Sequence, residues 1–445
     1  MAVTFRPKTE TEATPDWPAL GAETVRLLSE YVRLDTTNPP GNEVAATDWI
    51  ARVLAAEGIP YKLYASDPTR PNLVATLHGD GSAGGPLVLL NHTDVVPVEI
   101  DHWTMPPFGG LVKDGYVWGR GAMDMKGMGV LELMTLIIHH RLQLPLRRDL
   151  TFIAAADEEA GGAFGIDFLD AAHPELLDCA FVINEGGTGA AEVFGVRRPV
   201  FHVCVSEKGP LWLRLVTTGT PGHGSVPHGD SAIDRLLRAV ARVTSWKREP
   251  LLTPEVGTYF DRLYAAGILP SPPTPKLLAA LAEDHPRIES LLTNSIAVTS
   301  LRSGVRPNVI PAQAEATLDV RLLAGTNPER FIDELRATMA DPMVRIERIF
   351  MSSTPASPTD TPLFSAIERA VEACVPGALV VPSVATGFTD SRVFRRRGIP
   401  AYGFIPLLVE PEDGGRSHGN DERVSVDGLG LGLRILHATV RGVCG

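Results

Sequence analysis

A chain of 445 residues is longer than one compact core usually fills, so two domains are expected. With 44% hydrophobic and 21% charged residues it has the composition of an ordinary globular protein. Its formal net charge of −12 argues against nucleic acid or an anionic membrane as partner. Cys179, Cys204, Cys374 and Cys444 show no C-x-x-C spacing and read as thiols of a reducing compartment rather than a disulfide frame. The N-terminal MAVTFRPKTETEATPDWPAL is polar, without the apolar stretch of a secretory signal. The apolar runs GPLVLLN and LELMTLII are too short to cross a bilayer, so the cytoplasm is the expected location.

In chain order, Ala22–Val32 has helical apolar spacing, and Asn72–His78 and Pro86–Leu90 are short apolar runs bounded by turn residues, as strands are. Lys126–His139 has the length and pattern of a helix, and Leu150–Ala156 and Ala180–Ile183 again read as strands. Such alternation predicts an α/β domain, a mixed, mostly parallel sheet flanked by helices. The pattern changes after about Glu207. Trp212–Thr217 alternates strictly, a helix near Ala232–Val243 follows, and then comes a Pro-rich stretch from Glu249 to Pro275. Strands at Asn294–Ser300, Ala314–Leu322 and Val344–Met351, with a helix at Pro328–Ala340, complete a small α+β unit of ferredoxin-like type. The α/β pattern then returns, with a helix near Leu363–Cys374, an apolar run Ala401–Ile405 and a terminal helix near Val426–Val440. The expected organisation is a discontinuous domain, 1–207 and 353–445, with 208–352 inserted into it.

Five segments place acid or histidine after an apolar run: Asn91-His92-Thr93-Asp94, Met123-Asp124-Met125, Asp157-Glu158-Glu159, Asn184-Glu185-Gly186 and Ser417-His418-Gly419. Singly, each has an ordinary explanation. A His-x-Asp can be a capped turn, Glu-Glu in a loop is solvated charge, and Asp124 suits the N-cap of the helix that follows. His92, Glu158, Glu159 and Glu185, however, would gather at the C-terminal rim of one sheet, where open α/β sheets bind ligands. Imidazole and carboxylate are zinc ligands. Two ions ~3.5–4 Å apart can share a carboxylate and a water. A further carboxylate can take that water's proton, and an acid beside a ligating histidine can orient it.

The motifs His92-Thr93-Asp94-Val95-Val96-Pro97, Trp118-Gly119-Arg120-Gly121-Ala122-Met123-Asp124-Met125-Lys126-Gly127 and Asp157-Glu158-Glu159 resemble the M20 metallopeptidase family. That family includes carboxypeptidase G2-like enzymes, aminoacylase-1, succinyl-diaminopimelate desuccinylase, acetylornithine deacetylase and carnosinase-like dipeptidases. The resemblance runs from about Ala22 to the C-terminus. It implies a catalytic α/β domain with an inserted lid and dimerisation domain, and two Zn²⁺ per subunit, which Co²⁺ or Mn²⁺ could replace. By motif position His92 and Glu185 bind one ion, Glu159 and His418 the other, and Asp124 bridges both. Glu158 is then the general base and Asp94 the partner of His92; a cis peptide between Asp124 and Met125 is a frequent feature of the family. A water between the two ions, deprotonated by Glu158, attacks the amide carbonyl.

Pro221-Gly222-His223-Gly224-Ser225-Val226-Pro227 resembles the lid segment whose histidine stabilises the oxyanion, from the partner subunit in dimeric members. His228 competes for that role, but the motif position favours His223. Arg306-Pro307-Asn308-Val309-Ile310-Pro311 and Asp319-Val320-Arg321 resemble segments that hold a substrate carboxylate, assigning Asn308 and Arg321 to it. From the strand pattern alone, Arg321 is equally a solvent-facing ion pair. Gly387-Phe388-Thr389-Asp390-Ser391-Arg392 resembles a pocket-lining loop, with Gly387 in the substrate site and Phe388 where many relatives carry a small residue. The resemblance thus implies a homodimeric amide hydrolase acting on a small carboxylate-bearing substrate. Exopeptidase and N-acyl amino acid deacylase remain alternatives, and so does a relative that binds metal or ligand without turnover.

Overall fold

A computed structural model describes residues 14–445, so most of the polar N-terminal tail lies outside the described residues. The chain divides into two units: one runs to Cys179 and includes Ala366–Cys374 and Pro406–Gly445, the other comprises Ala180–Ser365 and Val375–Ile405. The fold is mixed α/β, with parallel and antiparallel pairings in the sheet strands of both units.

In the first unit, Leu87–His92 and Leu150–Ala155 are buried along their whole length. A strand covered on both faces has no wet side to alternate with, which explains their continuous apolar runs. The strand order is Tyr61–Tyr64, Asn72–Leu77, Leu150–Ala155, Leu87–His92, antiparallel at the first two joints and parallel at the third. The helix Lys126–Arg141 is buried from Lys126 through His139, between Trp17–Val32 and Val426–Cys444. It is apolar on every side because it has no solvent face. Its first residue, Lys126, donates from Nζ to the carbonyl of Leu34 at 2.6 Å and lies 5.0 Å over the Tyr31 ring. A buried ammonium is tolerated where such acceptors replace water.

The second unit contains the sheet strands Phe181–Ala190, Val200–Glu207, Leu379–Ala385 and Ala401–Val409, the last completed by residues of the first unit. It also contains a separate four-stranded antiparallel sheet in the order Ser295–Ser303, Gln313–Leu322, Gly209–Thr218, Arg345–Met351. The helices Ala232–Thr244 and Pro328–Met339 bury Leu236, Ala239, Phe331 and Leu335 against Leu211, Leu213, Leu215, Ala316 and Leu318. This β-α-β-β-α-β order is the ferredoxin-like arrangement that the alternating strands predict.

The Pro-rich stretch, which the sequence leaves without assigned elements, is largely helical. It forms helices Pro254–Ala265 and Pro275–Asp284, followed by Pro286–Leu292. Thr253 and Thr274 cap the first two, accepting from Val256 and Leu277, with proline at the first helical position, where its missing N–H costs nothing. From this segment Val256, Tyr259, Phe260 and Leu291 pack with Val200, Val381 and Val384. Lys208 ties it down, donating to the carbonyls of Ser290 at 2.9 Å and Thr293 at 2.8 Å.

One internal stack carries a pH consequence. His437 lies 5.3 Å from Trp17 and 4.9 Å from His139, ring centre to ring centre, and both histidines are buried. Burial holds His139 down at about 4 and His437 at about 3, with Arg441 acting in the same direction on both. The unfolded chain takes up these protons near pH 6.5 and the folded chain does not, so acid favours unfolding. We predict that denaturant stability is fully present above about pH 7 and falls progressively towards pH 4. His437→Phe flattens that dependence; an unchanged slope in the variant contradicts the assignment.

Candidate active site

The strand Leu87–His92 ends on His92, whose Nδ1 lies 3.0 Å from the Asp94 carbonyl, so that this nitrogen is the donor and Nε2 faces Asp124 Oδ1 at 3.3 Å. His92 is 2% exposed. Asp124 stands two residues before the buried helix, and the Asp124–Met125 peptide is cis. Beyond strand Leu150–Ala155, Asp157 adopts a left-handed φ of 67°, a conformation Asp tolerates better than most residues, and the chain turns through Glu158–Ala160. His418 also takes a left-handed φ, 62°, and its Nε2 sits 3.3 Å from Asp124 Oδ2 and 3.2 Å from Glu159 Oε1.

His92, Asp124 and Glu159 each offer an atom within 4.8 Å of the others. With His418 between the two carboxylates, the donors are the nitrogen and oxygen set that zinc takes. Electrostatics at the site follow from crowding. The Asp124 and Glu159 carboxylates raise His418 to about 10. Burial pushes Asp124 up, but His418 and His92 together hold it well below the usual carboxylate range. Burial dominates at Glu159 and raises it.

Asp94 has contacts beyond His92, whose Nδ1 lies 3.4 Å from Asp94 Oδ1. Its fully buried carboxylate accepts from the backbone N–H groups of Glu158 and Glu159, each at 3.1 Å, and from Asn38 Nδ2 at 2.8 Å. Asp94 thereby fixes the turn that presents both glutamates. Behind it Asp157 accepts from Asn38 at 2.9 Å and pairs with Arg70, which also donates to Glu43. Glu43, Asp94 and Asp157 converge closely enough to hold a cation, but a guanidinium already sits against two of them.

Glu422 was not legible in the motifs. It is fully buried and its carboxylate accepts from the N–H groups of Gly121, Met123 and Asp124 at 3.1, 2.7 and 3.0 Å, and from Arg120 Nη1 at 2.6 Å. Its position four residues after His418 is the only sequence signal.

In the second unit, Glu185 lies within strand Phe181–Ala190 rather than beyond its end. The strand runs further than Ala180–Ile183 because the glycines after Glu185 let other backbone approach: a Cβ on Gly187 would meet the His202 carbonyl at 2.1 Å. His223 and Asn308 come together on a two-residue ladder, Gly222–His223 against Val309–Ile310, and Gly224 N–H donates to the Asn308 carbonyl at 2.8 Å. His223 Nδ1 accepts from the Ser225 N–H at 3.2 Å, which leaves the proton of a neutral ring on Nε2. Arg321 donates from Nε and Nη2 to Asp319 at 2.8 and 3.0 Å, so the ion pair exists; its buried Nη1 has no hydrogen-bond partner among the described residues. Gly387 is exposed in the loop before Thr389.

The sequence model of peptidase family M20/M25/M40 matches residues 88–442. The chain belongs to that family. It is 30% identical over 363 residues to the N-fatty-acyl-amino acid synthase/hydrolase PM20D1 of Xenopus tropicalis, covering 78% of this chain and 70% of that one. It is 28% identical over 428 residues to aminoacylase-1 of Homo sapiens, covering 93% and 94% respectively. Among solved structures, the M20 family metallo-carboxypeptidase Sso-CP2 of Sulfolobus solfataricus shares the fold with a TM-score of 0.74, at 18% identity over 95% of this chain and 99% of that one. The M20 protein described here is therefore a hydrolase of amide bonds in a metal-dependent family. Among the described residues, no helix is long and apolar enough to cross a membrane.

The Glu422 cradle leads to a measurable expectation. Glu422→Ala releases the three N–H groups around Asp124; if Asp124 ligates a metal, affinity for added zinc should fall about 10–100-fold, as when other partners of metal ligands are removed. Competition with a chromophoric chelator reads it. Unchanged affinity in a folded variant would mean that the cradle plays no part in holding Asp124 for metal.

Proposed function

We propose that the chain is a two-zinc hydrolase that cleaves the amide of a small substrate with a free carboxylate, an N-acyl amino acid or a short peptide. The observation that carries the reading is the convergence of His92, Asp124, Glu159 and His418, with Glu158 held beside them by the Asp94 carboxylate. In this reading His92 and Glu185 hold one ion, Glu159 and His418 the other, and Asp124 is shared. Bound there, the ions would polarise the scissile carbonyl and acidify a water.

The chain's own groups do the rest. Glu158, 8% exposed, takes the proton of the attacking water and returns it to the departing amine. His223, with its proton on Nε2, donates to the oxyanion. Arg321 and Asn308 hold the carboxylate beside Gly387. The lid, 208–352, is the dimerisation domain, and His223 acts on the partner subunit's substrate. Four cysteines without C-x-x-C spacing suit a reducing cytoplasm. The 30% identical relative named an N-fatty-acyl-amino acid synthase/hydrolase supports an acyl amino acid as substrate.

The test assays zinc-loaded protein on N-acyl amino acids and dipeptides, with Glu158→Gln and His223→Ala alone and mixed. Glu158→Gln should lower kcat by about 10²–10⁴-fold while metal content is unchanged. Mixing the two variants under subunit exchange should restore turnover, since one site of each mixed dimer has both groups. Undiminished turnover in Glu158→Gln rules out its role as base, and a mixture as inactive as its parts rules out action across the dimer.

A further inference from the structure

The face of the lid sheet away from its two helices is charged over part of its area and aromatic over the rest. Arg214, Glu315 and Glu347 form ion pairs at one end, as expected of a wet sheet face. At the other, register places Asp319 opposite Trp212 on one side and Phe350 opposite it on the other. Trp212 and Phe350 lie 5.2 Å apart, ring centre to ring centre. Phe388 closes the group from a different part of the chain, 6.2 Å from Trp212 and 6.1 Å from Phe350. All three rings remain partly exposed, so they form a wall rather than a filled core.

The residue after Phe388 is anchored. Thr389 donates from its N–H and its hydroxyl to buried Glu207 at 3.1 and 2.8 Å, and Glu207 also pairs with Arg395 at 3.1 Å. The Arg321 guanidinium stands 5.1 Å over the Phe388 ring, and that of Arg392 lies 5.7 Å from it. Trp212 Nε1 donates to Asp319 at 3.0 Å, so the carboxylate that braces Arg321 is itself braced by the aromatic wall. Arg321 keeps its buried Nη1 without a partner among the described residues. A cation, an uncommitted donor and a semi-exposed aromatic surface therefore lie within one amino-acid side chain of each other.

We propose that Trp212, Phe350 and Phe388 are specificity-determining residues that receive the side chain of the amino acid whose carboxylate Arg321 holds, selecting substrates that release an aromatic or large aliphatic amino acid. The proposal rests on the reading of Arg321 as the carboxylate anchor. A carboxylate on Nη1 puts the attached α-carbon beside the rings, and its side chain gains by leaving water for them. A small residue at position 388 would leave that surface open to solvent.

The experiment compares N-acetyl-L-phenylalanine with N-acetyl-L-alanine on the zinc-loaded wild type and on Phe388→Ala, with Phe350→Ala as a second variant on a different element. The ratio of kcat/KM for the phenylalanine over the alanine derivative should fall about tenfold or more in each, with KM carrying the change. Calorimetric binding of L-phenylalanine and L-alanine to the same proteins reads the preference without turnover. Absence of hydrolysis with a phenylalanine preference that Phe388→Ala removes would count against the proposed reaction and support the aromatic wall. A wild-type preference that survives both substitutions, equal losses on the two ligands, or no wild-type preference overturns the wall.

Discussion

Carboxylates gathered out of water repel one another and lose their hydration, so such a cluster persists only where something compensates its charge. Around His92 the chain supplies part of that compensation itself. Asp94 is paid for by two backbone N–H groups and Asn38, Asp157 by Arg70 and Asn38, and Glu422 by three backbone N–H groups and Arg120. At Asp124 and Glu159 the side-chain partners among the described residues are histidines, in ligand range. That contrast fits the proposal that Asp124 and Glu159 bind metal while the other carboxylates shape the site. It also explains why Glu43, Asp94 and Asp157, equally close together, belong to the scaffold.

The same division runs through the backbone. His92 ends a strand whose register is fixed by complete burial, and Asp124 precedes a helix with no wet face. Neither can shift without moving the core. The glutamates occupy a turn that local propensity would not hold, and Asp94 and the left-handed Asp157 hold it instead. Rigid elements thus carry the proposed ligands His92 and Asp124, and a hydrogen-bonded turn carries the proposed base Glu158.

How much of this the sequence revealed depended on how local the cause was. Lys126–His139, Leu150–Ala156 and the alternating lid strands were readable because burial writes itself into neighbouring residues. The helices after Glu249 were not, because each Thr-Pro pair that begins one also resembles a turn, and their apolar faces pack on strands Val200–Glu207 and Leu379–Ala385, which carry no clear pattern of their own. Of the residues proposed for the site, His92, Asp124, Glu158 and Glu159 stand in motifs detailed enough to be singled out from sequence, and His418 in a short one. Asn38, Arg70 and Glu422 were not legible: each reaches at least one partner more than fifty residues away, and a lone Asn, Arg or Glu in a loop has no spacing to betray it. Arg321 was ambiguous in pattern, and the structure shows why, since it makes the ion pair to Asp319 and still retains an unpaired donor among the described residues.

The account stands or falls on whether Asp124 is shared by two metal ions. Crystals of the protein grown with zinc, with diffraction recorded on both sides of the zinc absorption edge, address that directly. The account predicts two anomalous peaks about 3.5–4 Å apart, one against His92, the other against Glu159 and His418, with Asp124 between them. A single peak, or zinc bound away from Asp124, would contradict it.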